Sequence, residues 1–212
     1  MKLSELAYSQ FKQLVFARDL RPGQFVSQRE LVKLTGVPLG PMREALQRLQ
    51  VEGLVQVIPQ RGIKVADANP KLIRDAFNLR IVIEREAART FAATASDGEF
   101  RALDEAHQAI VDRARAGIDD ALLDDAQRVD RGMHDSIVER LDNALIWSIH
   151  QINSDRIRLI RLDHGLLTQD NLLKAMEEHL AVIAAWRRRD AAAAAAALET
   201  HLATAMRRAM GL

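Results

Sequence analysis

A mainly α-helical fold in two parts is predicted: an N-terminal winged helix-turn-helix followed by a C-terminal all-helical bundle. Three observations predict it. Residues 1–66 hold two short helical patterns joined by a tight turn, then two β-like runs. From residue 71 to residue 212 the apolar spacing is of the 3.6 type, with no convincing strand alternation. A chain of 212 residues with 48% hydrophobic side chains can bury a core for two modest domains, and with no cysteine it can form neither disulfides nor thiolate metal sites.

In the N-terminal part, Leu6, Phe11, Leu14 and Val15 suit a first helix that ends before the turn signal Arg21-Pro22-Gly23. Ser27 is placed to cap a short helix through Leu31 and Leu34 that stops at Gly36. A second helix is expected after Pro41, with Met42, Ala45, Leu46 and Leu49 on one face, closing near Gly53. Leu54–Ile58 and Ile63–Val65 flank Pro59-Gln60-Arg61-Gly62, a hairpin pattern. Helix, turn, helix and hairpin make a winged helix over residues 1–66, with a polar linker at 67–70 and a helical domain over 71–212.

In that helical domain, stretches are expected at about 70–95, 97–116, 119–141, 143–162, 169–188 and 190–210, separated by cues such as Ser96-Asp97-Gly98, Gly117 and His164-Gly165. Asp190 is placed to cap the last one, and the run Ala191–Ala197 reads as a closely packed helix because alanine is the best helix former.

Charge is uneven along the chain. Residues 1–66 carry ten Lys/Arg against five Asp/Glu, and since the whole chain is +1 the remainder carries −4. A basic small domain beside an acidic larger one points to a polyanion partner, with ordinary solvated charge as the alternative. The opening Met1-Lys2-Leu3-Ser4-Glu5 runs into Gln10, Lys12 and Gln13 without an apolar targeting core, and no segment reaches the roughly 18 apolar residues of a membrane span. A soluble, cytoplasmic chain without membrane association is expected.

In a helix-turn-helix the second helix enters the major groove. Arg43, near the start of that helix, is the candidate for a bidentate guanine contact, and Arg61 and Gly62 form the wing tip, where Gly62 equally suits a plain turn. In the helical domain, Asp130 and His134 stand four apart and share a helix face along the edge of the stripe Leu122, Ala126, Val129, Met133, Ile137, Leu141. That spacing also describes a solvated face. His179 falls beside Leu172, Met176 and Ile183, and His201 beside Leu198 and Ala205, so four polar residues on three helices turn toward one core.

Pro22-Gly23, Ser27-Gln28-Arg29-Glu30-Leu31, Gly36-Val37, Pro41-Met42-Arg43-Glu44-Ala45-Leu46, Leu49, Glu52-Gly53-Leu54-Val55 and Arg61-Gly62 together resemble GntR-family transcription regulators. The helical remainder is similar to the FCD effector domain of the FadR-type branch. The resemblance implies a homodimer on a palindromic double-stranded DNA operator, controlled by a small carboxylate effector. It places Arg29 and Arg43 at family DNA-contact positions. Where most members carry a polar residue, Arg and Thr before the proline, this chain has Pro38-Leu39-Gly40-Pro41, so the usual second base-reading Arg is absent, Leu39 either touches a thymine methyl or only packs beside Gly40, and the operator sequence does not carry over.

The FCD ligand pattern of an Asp, a His four later, a third ligand about 45 on and a fourth about 22 beyond is matched by Asp130, His134, His179 and His201. One carboxylate and three imidazoles suit a divalent ion, zinc first, with nickel or manganese as alternatives. Arg80 matches a position that faces the effector cavity, with a surface pair to Glu84 as its alternative. Asn143 lines the cavity or caps the next helix. Arg156, Arg158 and Arg161 offer a further anion contact, and His107, His150 and His164 receive no role.

No enzymatic activity is expected. The competing readings are a regulator for which the metal itself is the signal, and a helical metalloenzyme carrying a DNA-binding head. The second lacks a general base, since Glu178 adjoins His179 in sequence but projects in another direction.

Overall fold

The computed structural model describes residues 2–164 and 167–212, so the stop expected at Gly165 lies outside the described residues. The chain divides into two compact units, one comprising residues up to Leu72 with Ser154–His164, the other Ile73–Asn153 with the chain beyond His164.

The first unit runs α1 (Leu3–Phe16), β1 (Phe25–Val26), α2 (Gln28–Thr35), α3 (Leu39–Val51), β2 (Val55–Ile58) and β3 (Gly62–Val65). Ser27 caps α2 through a capping box: its hydroxyl accepts from the Glu30 N–H while the Glu30 carboxylate accepts from the Ser27 N–H. Gly36 ends α2 in the left-handed conformation at φ 67°. Helix α3 begins at Leu39, three residues before the expected start, because proline's missing N–H costs nothing in a first turn and Pro41 fits there. The hairpin forms as expected and is joined by β1, giving an antiparallel sheet of order β1-β3-β2 with Phe25 opposite Lys64 and Val26 opposite Ile63. Two residues are too few to show an alternation, which is why β1 escaped the sequence.

Phe11, Leu31, Met42, Leu49 and Ile63 fill the core of this unit together with Leu159 from its Ser154–His164 segment. In that segment the Arg156 Nε donates to the Glu52 carbonyl at 2.9 Å, and the Arg158 guanidinium lies 3.7 Å from the Phe16 ring centroid, so both arginines have local structural partners.

The second unit is built from all but the first turn of α4 (Pro70–Thr94), α5 (Asp97–Ala116), α6 (Asp120–Glu139), the first part of α7 (Ala144–His164), α8 (Leu172–Arg187) and α9 (Ala191–Ala209). Ser96, Asp119 and Asp190 cap α5, α6 and α9 with their side-chain oxygens. Phe91, Phe100, Ile137, Ile183, Trp186 and Leu198 make one apolar cluster, and Ile110, Leu122, Ala126, Leu172 and Met176 a second. The alanine run packs as expected: Ala194 and Ala195 are buried, and the stripe continues through Leu198 and Leu202. No described helix is long and apolar enough to cross a membrane.

Candidate metal centre and candidate nucleic-acid interface

Helix α6 presents Asp130 and His134 one turn apart, α8 presents His179 and α9 presents His201. One ligand atom from each lies within 4.8 Å of the others, and all four side chains are buried. The Nε2 atoms of His179 and His201 are 3.1 Å apart, and Asp130 Oδ1 is 3.6 Å from His179 Nε2 and 3.9 Å from His134 Nε2. Tetrahedral ligands about 2.0–2.1 Å from a zinc ion stand about 3.3 Å apart, a value these separations bracket.

Hydrogen bonds outside the quartet set the tautomers. His134 Nδ1 lies 2.6 Å from a Glu84 carboxylate oxygen and His201 Nδ1 lies 2.8 Å from Glu178, so each ring donates from Nδ1. His107 Nδ1 donates to the Leu103 carbonyl at 2.7 Å, which leaves its Nε2 as an acceptor for His179 Nδ1 at 3.1 Å. Every neutral ligand ring therefore turns an Nε2 lone pair toward Asp130. His134 Nε2 is buried with no hydrogen-bond partner, an orphan acceptor that a cation would satisfy.

Electrostatics favour the neutral form of His134, His179 and His107. Burial, then the Arg80 charge, pushes His134 down to about 4 against the opposing pull of Glu84 and Asp130. Burial, then neighbouring His201, drives His179 well below its ordinary value, and burial also lowers His107. Burial alone would raise Glu84, but Arg80 and His134 more than offset it and hold its carboxyl at about 2. Three imidazoles, each with its Nδ1 hydrogen-bonded outward, and a carboxylate form a ready ligand set for a divalent ion.

Sequence spacing thus brings its four candidate ligands together, whereas the outer partners Glu84, Glu178 and His107 were missed. His107 is fully buried and in contact with a ligand, and Glu178 serves His201 on the next helix rather than its neighbour His179. The Arg80–Glu84 pair forms at 2.6 Å but is buried rather than on the surface, and Glu84 links it to His134. Asn143 is exposed and its Oδ1 accepts from the N–H groups of Leu145 and Ile146, so the capping alternative is the one the structure fills.

On the first unit, Arg29, Leu39, Gly40, Arg43 and Arg61 are exposed. Leu39 and Gly40 form the start of α3, where Pro38 supplies no side-chain cap, leaving their N–H groups available to an anion. The Arg43 Nε donates to Gln28 Oε1 at 3.1 Å, which fixes the guanidinium plane and leaves its two terminal nitrogens outward. Gly62 has φ +99°, and a Cβ there would stand 3.0 Å from the Val26 carbonyl oxygen, so β3 approaches β1 as only glycine permits.

Comparison with known proteins places these two units in a context. The model of bacterial regulatory proteins of the gntR family matches residues 3–65, and that of the FCD domain matches residues 75–204. The HTH-type transcriptional repressor RspR of Escherichia coli strain K12 is 29% identical over 187 residues, covering 86% of this chain and 78% of the repressor. The fold is similar to that of a GntR transcriptional regulator from Rhodococcus sp. RHA1, with a TM-score of 0.79 and 18% identity over 98% of this chain and 97% of the other. It is also similar to a structure described as the metal-free FCD domain of a transcriptional regulator, with a TM-score of 0.56 and 20% identity over 69% of this chain and 96% of that one.

Proposed function

Because the chain belongs to the GntR family of DNA-binding transcription regulators with an FCD domain, we propose that a divalent metal held by Asp130, His134, His179 and His201 prepares its helical unit to bind a small carboxylate effector that controls operator affinity. FCD domains can bind metal, and the convergence of three buried Nε2 lone pairs on Asp130 carries the reading for this chain. Zinc suits the donor set best, with nickel or manganese as alternatives. Held at a coordination number above four, such an ion would present a further position for an effector carboxylate oxygen.

The chain's own residues do the rest. Glu84, Glu178 and His107 hold each imidazole in the tautomer that presents Nε2. Arg80 uses its Nε on Glu84, leaving its terminal nitrogens as donors for an anion. On the DNA side, Arg43 reads a guanine, Leu39 touches a thymine methyl, the free N–H groups at Leu39 and Gly40 together with Arg29 hold phosphates, and Arg61 with Gly62 enters the minor groove.

Dimerisation is proposed through α4 and α7. There Val82, Leu145 and Ile149 are exposed by 71%, 78% and 46%, and the Asn153 side chain donates to the Ala76 carbonyl at 2.9 Å to keep the helices side by side. A symmetric dimer fits a palindromic operator in the cytoplasm.

The test is operator binding by purified protein stripped of metal, reloaded, and reloaded in the presence of candidate carboxylic acids. Affinity that changes only with metal and acid together supports the proposal. A response to metal without any acid would establish the metal as the signal. Turnover of the acid, for which no substrate-facing base is visible among the described residues, would establish an enzyme instead.

A further inference from the structure

The wing carries a feature that base and phosphate contacts alone do not explain. Arg61 sits at the tip of the turn between β2 and β3, its N–H bonded to the Ile58 carbonyl at 3.1 Å, between Gln60 at φ 63° and Gly62 at φ +99°. The close approach of Gly62 to the Val26 carbonyl ties that turn to β1. The guanidinium lies 4.7 Å from the ring centroid of Phe25 on β1. Phe25 is 38% exposed, and the pairing of β1 with β3 sets its ring on the wing rather than in the core. Among the described residues no oxygen accepts from the Arg61 guanidinium, so the Phe25 ring is the contact it makes and its side-chain N–H groups remain available to donate.

We infer that Phe25 is a positioning residue for DNA recognition: its ring holds Arg61 edge-out for insertion into a narrow, A·T-rich minor groove flanking each half-site. This rests on the DNA-binding reading above and adds a specificity determinant to it. A narrow A·T minor groove concentrates negative potential and attracts arginine. An arginine already stacked has lost part of its rotamer freedom before binding and keeps the cation–π contact in the complex.

The probe is the duplex that the wild-type full-length protein enriches from a random-sequence pool, together with a derivative whose flanking A·T pairs are replaced by G·C. Phe25→Leu is expected to weaken binding to the A·T-flanked duplex about two- to fivefold. Phe25→Trp is expected to retain wild-type affinity, and Phe25→Leu to have no further effect once Arg61→Ala is present. Equal losses from Phe25→Leu with and without Arg61, at an unchanged melting temperature, would make Phe25 a merely structural residue and overturn the inference. So would losses identical on A·T and G·C flanks. If Phe25→Leu unfolds the unit, Phe25→Met repeats the cycle without a ring. A wild-type protein that enriches no duplex would overturn the DNA-binding reading and this inference with it, whereas additive substitutions on an enriched duplex would overturn this inference alone.

Discussion

The Nε2 atoms of His179 and His201 face each other at 3.1 Å, and the hydrogen bonds behind both rings leave neither with a proton to place between them. Two lone pairs at that distance repel, so the pair is stable only when a cation or a shared proton lies at its centre. Purified protein is therefore expected to carry about one divalent ion per chain, and His179→Ala to lose it, as elemental analysis will show. Because the ion ties three helices, chelation should lower the melting temperature of the helical unit. The linked stabilisation at metal concentrations of 100 times the dissociation constant is about 2.7 kcal/mol.

The outer partners yield a second prediction. His107 accepts from His179 Nδ1, and removing it frees His179 to adopt the wrong tautomer. His107→Leu and Glu84→Gln should each weaken metal affinity by about 10- to 100-fold while leaving the four ligands in place. His164→Ala should leave it unchanged, since the His164 ring bonds the Ala68 carbonyl at 2.9 Å in the other unit. Competition titration with a chromogenic chelator distinguishes these outcomes.

The contrast between ligands and outer partners shows what a linear sequence discloses. Asp130 and His134 are one helical turn apart at the edge of an apolar stripe, and His179 and His201 each lie beside one, so periodicity made an inward set possible and the FCD pattern joined the four as ligands. Glu84 reaches His134 across 50 positions and His107 reaches His179 across 72, distances at which no periodicity applies. Adjacency misled at Glu178, which lies beside His179 in sequence but bonds His201 on α9. One signal was present: His107 falls on the stripe Phe100, Ile110, Val111, Ala114, an inward position for a polar ring. Similarly, capping residues such as Ser27 and Asp190 were legible because their partners are three positions away, while β1 depends on pairing with a strand nearly forty residues later.

Acid should release the metal and loosen the metal-free unit in the same window. His134 has a folded value of about 4, below its ordinary 6.5, so its neutral form contributes stability fully present above 6.5 and lost as pH falls toward 4. His179 and His107 shift in the same direction. Glu84 stays ionised through that range because its value is about 2. The melting temperature of metal-free protein should be flat from about pH 8 to 7 and fall between about 6.5 and 4. A flat profile down to pH 4 would contradict the buried neutral rings.

At the DNA face, Arg43→Ala should cost about 1–3 kcal/mol of operator binding and relax base preference at one position per half-site. Gln28→Ala removes the bond that fixes the Arg43 plane, so it should relax the same position with a smaller loss. Leu39→Arg should change the preferred operator more than the overall affinity. Binding-site selection with each variant reads all three. A loss uniform over every sequence would make Arg43 a phosphate contact.

Arg80 needs a different variant from the one its sequence context suggests. On a surface, Arg80→Ala would be a clean deletion, but here it removes the partner of the buried Glu84, which would then keep only His134. Breaking a buried pair from one side typically costs about 3–5 kcal/mol, so Arg80→Ala should destabilise the helical unit and disturb the metal ligand behind Glu84. Arg80→Lys retains the charge while removing the planar fork that grips a carboxylate with two parallel bonds. It should preserve metal content and most of the stability yet weaken an anionic effector measurably in calorimetric titration. Unchanged effector affinity in folded, metal-loaded Arg80→Lys would confine Arg80 to holding Glu84 in place.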